Sequence, residues 1–244
     1  FEASSRVRLY RPTVIVPDPS GGAPLKKLNM SQQELAVFAE PDFFKIFDFK
    51  PLVGEQFTSM ALPGSVVLSR QMAEACFGHW ENAPGQTLLL DNALMTVRGV
   101  MEDAPKDCDF PVKIVLSYAT LLANKEKYDY VENWERNRGN DQLYALLHSK
   151  DDFEAASAVV AQVGVKEYAA ASNSKQIGNN RHFLQPLSDL HFDSRFGTPG
   201  GKLTERSRLW VLASIGLFVL LMGCFNFVNL STAQALRRAM EVGV

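Results

Sequence analysis

From Arg6 to Val16 apolar and β-branched residues follow an extended pattern, broken at Pro12 and closed by Pro17. Asp18 to Ala23 is a loop by composition, and Gln33 to Ala39 reads as a strand again. Ser65 to Leu68 predicts a short buried strand, with Ser69 placed to cap the helix after it. That helix carries Met72, Ala73, Cys76 and Phe77 on one face and finds its end at Gly78. Thr87 to Leu90 and Ala93 to Val100 predict a hairpin, because Asp91-Asn92 tolerates the positive φ angles of a tight turn. The first half is therefore mixed α/β.

Pro111 to Ser117 predicts a further strand and then a short helix. Asn124 to Asp141 turns polar, with Trp134 alone among charges, before the strand pattern of Gln142 to Leu147. Asp151 to Gln162 is an amphipathic helix opened by two acidic residues, which suit the positive end of a helix. Asn173 to Arg181 reads as a polar linker, His182 to Phe192 as a strand, and Gly197 to Gly201 as a flexible approach to a long apolar run. That run, Leu209 to Leu230, contains no charge. As a helix it covers roughly 33 Å, enough for a hydrocarbon core of about 30 Å, and predicts a membrane span. With Thr204 as a cap and no Pro until beyond Met240, a single rigid helix is expected on both sides of that span.

Composition changes this picture only at its edges. Hydrophobic residues make up 46% and the net charge is -2, with no Lys/Arg block, which argues against a nucleic-acid-binding footprint. The chain opens on Phe1 and still reads as helix at Val244, with no signal peptide ahead of the domain, so a piece of a longer protein is expected. Cys224 lies in the span as a small apolar residue. Cys76 and Cys108 fit no disulfide framework, and two buried thiols are expected over a bridge.

Catalytic signatures are missing. Gly200-Gly201-Lys202 is followed by Leu203, not the Ser or Thr a phosphate loop places on magnesium, and Phe196 stands where its first glycine belongs. His79, His148, His182 and His191 show no metal-ligand spacing, and no GxSxG elbow occurs. Glu102-Asp103 and Asp151-Asp152 read as solvated termini of a strand and a helix. No catalytic residue, cofactor or metal is expected. Phe38, Phe43, Phe44, Phe47 and Phe49 form either an exposed grip or a dense piece of core, and the core reading is favoured. Within the span, Ala213, Gly216, Leu220 and Gly223 share one stripe bordered by Asn226, a face suited to close packing against another helix.

Several segments, taken in order, carry a family resemblance: Glu40 to Phe49 (EPDFFKIFDF) with Leu52 to Glu55, Ser65 to Gly78 (SVVLSRQMAEACFG), Val97 to Pro105 (VRGVMEDAP), Leu184 to Ser194 (LQPLSDLHFDS), and Phe218 to Val244 ending in EVGV. Together they resemble the periplasmic core domain and adjoining helix of MacB/FtsX-type ABC transporter permeases. The resemblance implies an α/β (α+β) two-lobed periplasmic domain over residues 1–201, with a βαβ-rich main lobe from 1–115 and 182–196 and an inserted variable lobe at 116–181. A stalk at 202–208, the transmembrane helix at 209–230 and the start of a cytoplasmic segment at 231–244 complete it.

It also implies a non-catalytic component that couples cytoplasmic ATP hydrolysis to work in the envelope. The expected partners are a cytoplasmic ABC ATPase subunit, a second permease copy or half, a periplasmic adaptor or substrate protein, and membrane lipid. Placement in the bacterial cytoplasmic membrane with residues 1–208 outside rests on the resemblance alone. Local charge gives no orientation, since Lys202, Arg206 and Arg208 flank one end of the span and Arg237 and Arg238 the other. A membrane-anchored sensory or ligand-binding domain is the alternative reading.

Overall fold

Continuous apolar runs and alternating ones separate the central strands from the edge strands. The computed structural model describes residues 1–31, 34–55, 59–132, 139–171, 182–193, 199 and 204–243. Its elements are β1 (Ala3–Tyr10), β2 (Thr13–Val16), β3 (Lys26–Asn29), β4 (Leu35–Ala39), α1 (Phe43–Phe47), β5 (Pro51–Gly54), β6 (Ser65–Ser69), α2 (Arg70–Phe77), β7 (Thr87–Leu90) and β8 (Ala93–Met101). Next come β9 (Val112–Ser117), α3 (Tyr118–Ala123), β10 (Asp141–Leu146), α4 (Phe153–Ala171), α5 (Leu187–Leu190) and α6 (Arg206–Val242). The chain divides into two units, one built on Phe1–Pro186 and the other on α5 and α6.

In the first unit the strands make one mixed sheet in the order β10-β1-β4-β9-β6-β8-β7-β2-β3, with β5 against β8. The pairs β4/β9 and β6/β8 are parallel and the others antiparallel. Every residue of β4 and β6 is buried, as expected of strands covered on both faces. Alternation sends Ala36 and Phe38 into a core with Val66, Leu68, Ile114 and Leu116, closed by Met72, Ala73 and Cys76 of α2. Leu35, Val37 and Ala39 point the other way, into a core with Val67, Val115, Phe43, Phe44 and Phe110. Phe47 stacks on Phe110 with ring centroids 4.9 Å apart. The phenylalanine cluster is thus core, with Phe38 on one side of the sheet and the rest on the other. Each fully buried phenylalanine contributes about 1.5–3 kcal/mol.

Local signals explain the connections. Ser69 Oγ accepts from Met72 N–H at 3.3 Å and so caps α2, which ends at Gly78 with φ +83°. Asp91 and Asn92 turn the β7–β8 hairpin with φ of +44° and +61°. Asp91 also accepts from Thr13 N–H at 2.8 Å and from Tyr10 Oη–H at 2.6 Å, fastening the β1–β2 corner around Pro12.

Some expectations need correction. His182 to Phe192 is not a strand: residues 182–186 have no regular structure and Leu187–Leu190 is helical, with Phe192 N–H folding back to Asp189 O at 3.1 Å. Pro186 lacks the N–H that a ladder needs. The helix expected at Asp151 to Gln162 starts later and runs on to Ala171, because its alanines and valines continue without a proline. β3 and β5 carried no strand signal, and β10, from the segment 116–181, joins the main sheet beside β1. Cys76 and Cys108 are free thiols packed against opposite cores, with the sheet between them. The linker at Asn173 to Arg181, Gln33, Trp134 and all of Gly197 to Gly201 except Pro199 lie outside the described residues.

Candidate functional site

Nothing in residues 206–242 interrupts a helix. There is no proline, and the only glycines, Gly216 and Gly223, sit inside the apolar run. α6 accordingly continues for 37 residues, about 55 Å at 1.5 Å per residue. Its polar side chains accommodate an apolar surrounding: Ser214 Oγ donates to Trp210 O and Thr232 Oγ1 to Val228 O, both at 2.8 Å. From Arg206 to Arg238 not one residue is buried. Trp210 is 75% and Phe227 71% exposed. An apolar helix bare on every side, and longer than a bilayer core is thick, has the length and composition to cross a membrane.

Ala213, Gly216, Leu220, Gly223 and Asn226 all lie on this helix and are exposed. A Cβ placed on Gly216 or Gly223 meets nothing within 4 Å, so among the described residues these two positions are uncovered.

The base of α6 is held by residues that the sequence pattern did not single out. Thr204 is not the cap; Glu205 occupies that position without a side-chain cap bond, and Thr204 N–H instead donates to His191 O at 3.2 Å. Arg206 stands in the first helical turn, where a cation opposes the helix dipole. Asp189 Oδ1 answers that charge at 3.2 Å from Arg206 Nη2, and the guanidinium lies 5.2 Å from the Phe192 ring centroid. Phe192 in turn meets the His191 ring edge-on at 4.9 Å. Asp189, His191 and Phe192 therefore clasp the start of the helix. The only sequence signal for this was an acid and a base far apart in the chain.

The paired carboxylates sit at the ends of elements. Asp103 accepts from Gln71 N–H at the start of α2 and pairs with Lys113 at 3.2 Å. Asp151 and Asp152 lie in an exposed 3₁₀ turn ahead of α4. Among the described residues no three His, Cys, Asp or Glu side chains converge as metal ligands would.

A family model described as MacB-like periplasmic core domain matches residues 4–163. The chain belongs to this family. No curated protein matches it. Among solved structures, a domain described as part of a permease from Porphyromonas gingivalis aligns with a TM-score of 0.54 at 17% identity, covering 77% of this chain and 81% of that one. The extracellular domain of the noncanonic ABC-type transporter YknZ from Gram-positive bacteria aligns at 0.50 and 12%, covering 69% and 76%. The periplasmic region of MacB from Actinobacillus actinomycetemcomitans gives 0.48 and 15%, covering 68% of each. At such identities the first two likenesses establish a shared fold. This MacB-like core domain combines that sheet with one apolar C-terminal helix.

Proposed function

We propose that the chain is the non-catalytic permease component of an ABC-type exporter or mechanotransmission complex. In this reading residues 1–201 form the extracytoplasmic domain, 202–208 the stalk, 209–230 the span and 231–244 the start of a cytoplasmic segment. ATP hydrolysis belongs to a separate cytoplasmic ABC ATPase subunit. A second permease copy or half packs on Ala213, Gly216, Leu220 and Gly223, where small residues admit a close neighbour and Asn226 finds a polar partner in it. The observation that carries the reading is α6 itself, one unbroken helix clasped at its base and bare along its span. A rigid rod of that kind conveys displacement along its axis, whereas a jointed one absorbs it.

Gln234 provides the test. It lies past the span, well inside α6. A proline there removes the bond to the Leu230 carbonyl and clashes with the preceding turn, at a cost of about 3 kcal/mol. Gln234→Pro is expected to insert and to bind the ATPase, yet to separate ATP hydrolysis from export in a strain lacking the unaltered copy. Undiminished export by a correctly inserted Gln234→Pro chain would rule out the rod.

A further inference from the structure

The sheet ends on β3 at one side and β10 at the other, and the two edges differ in chemistry. β3 is four residues long and carries exposed Lys26 and Lys27, charges of the kind that keep an edge from pairing with another chain. β10 is six residues long, and from Gln142 through Leu147 the chain has neither a charge nor a proline.

Hydrogen bonding decides which backbone groups of β10 are open. Leu9 N–H donates to Asn140 O and Glu2 N–H to Leu146 O, both at 2.8 Å, so the even-numbered residues of this stretch turn toward β1. Residues alternate along an antiparallel ladder, and Asp141, Leu143 and Ala145 therefore turn their N–H and C=O groups away from it. Arg6, which lies opposite Leu143, accordingly gives its own N–H to Glu40 Oε2 at 2.9 Å. Among the described residues no strand lies beyond β10. Leu143, the middle of the three outward-turned residues, also leaves its side chain 65% exposed.

We propose that β10 pairs antiparallel with β10 of a second copy of this chain, across a two-fold axis at Leu143. The partner is taken from the reading of a second permease copy, to which the pairing adds a contact between the two sheet units. In this register the strand is self-complementary: Leu143 meets its own copy, Gln142 meets Tyr144 and Asp141 meets Ala145. No charge stands opposite a like charge, and the exposed leucine gains an apolar neighbour. A six-residue pairing is small for two free domains, but two copies held in one membrane meet at high effective concentration.

The test uses the full chain in bacterial membranes, with Cys76, Cys108 and Cys224 replaced, mild oxidation and non-reducing electrophoresis. Across a hydrogen-bonded antiparallel pair the Cα atoms lie about 5.5 Å apart, within disulfide reach. Leu143→Cys is expected to give a covalent dimer. Ala145→Cys alone is expected to stay monomeric, since its two copies stand four residues apart along the ladder, roughly 14 Å. Coexpressed Asp141→Cys and Ala145→Cys chains are expected to cross-link. Leu143→Lys, a change at an exposed position, is expected to abolish that mixed cross-link and leave the thermal midpoint unchanged, because like charges then face each other. Monomeric Leu143→Cys, or equal cross-linking of Leu143→Cys, Ala145→Cys and Lys27→Cys, would overturn the pairing. Ala213→Cys reports separately on a second copy at α6. Its cross-linking beside a monomeric Leu143→Cys would reject the β10 contact and leave the permease reading standing.

Discussion

Gly54 shows how a single residue fixes where a strand ends. Its φ is +83°, and a Cβ there would overlap the Arg98 carbonyl oxygen and stand 2.8 Å from Gly99 Cα, both backbone atoms of β8. Neither can swing aside as a side chain would. Gly54→Ala is therefore expected to destabilise the fold by about 2 kcal/mol, read as a lowered denaturation midpoint. Cys76 makes a second residue-scale prediction. Burial beneath α2 pushes its thiol from an ordinary value of 9.0 up to about 11. The unfolded thiol ionises first as pH rises, so its contribution to stability is complete below about pH 9 and is lost as pH climbs toward 11. Half-buried Tyr10 and Tyr144 and buried Tyr118 are pushed upward by the same desolvation and add to the loss from about pH 10, where an unfolded tyrosine ionises. A Cys76→Ser chain should show a shallower decline between pH 9 and 11 in a denaturant titration; an unchanged slope would mean that the thiol is not the titrating group. At this scale sequence patterning read turn chemistry well, at Asp91-Asn92 and Gly78, because φ preferences are local. It could not read the bonds from Asp91 to Thr13 and Tyr10, which the fold brings together across the sheet.

Among the elements, those with a strong local signal were legible: β6, the capped α2 and the β7–β8 hairpin lie where pattern placed them. The Ser69 cap is a fair measure of how much such a signal is worth. Ser69→Ala leaves a helix donor unpaired and is expected to cost about 1 kcal/mol, with α2 amides exchanging faster than those of β9. Equal exchange in the two would show that the cap is dispensable. β3 and β5 escaped notice because each is only four residues long and exposed at its ends, so pairing with β2 and β8 defines them and their own composition does not. The stretch from His182 misled for the converse reason. It is rich in apolar residues, as a strand is, but Pro186 and the Asp189–Phe192 turn take the chain out of any ladder.

For the molecule as a whole, the apolar span was the most legible feature, since length and lack of charge suffice to recognise it. The strand order was not legible. The parallel pairs β4/β9 and β6/β8 join segments far apart in the chain, and no local pattern specifies them. The candidate site divides in the same way: spacing places Ala213, Gly216, Leu220 and Gly223 on one stripe of α6, whose packing role stands as a proposal, while the Asp189–Arg206 clasp and the His182–Gly164 contact emerge only in three dimensions. The central claim is that α6 crosses the membrane with the sheet unit outside. Ser20, in an exposed loop, and Arg238, near the far end of α6, report on the two sides. With Cys76, Cys108 and Cys224 replaced, each is changed to cysteine in turn and intact spheroplasts are treated with a membrane-impermeant thiol reagent. The account predicts that Ser20→Cys is labelled at once and Arg238→Cys only after lysis. Labelling of Arg238→Cys in intact cells, with or without Ser20→Cys, would contradict it.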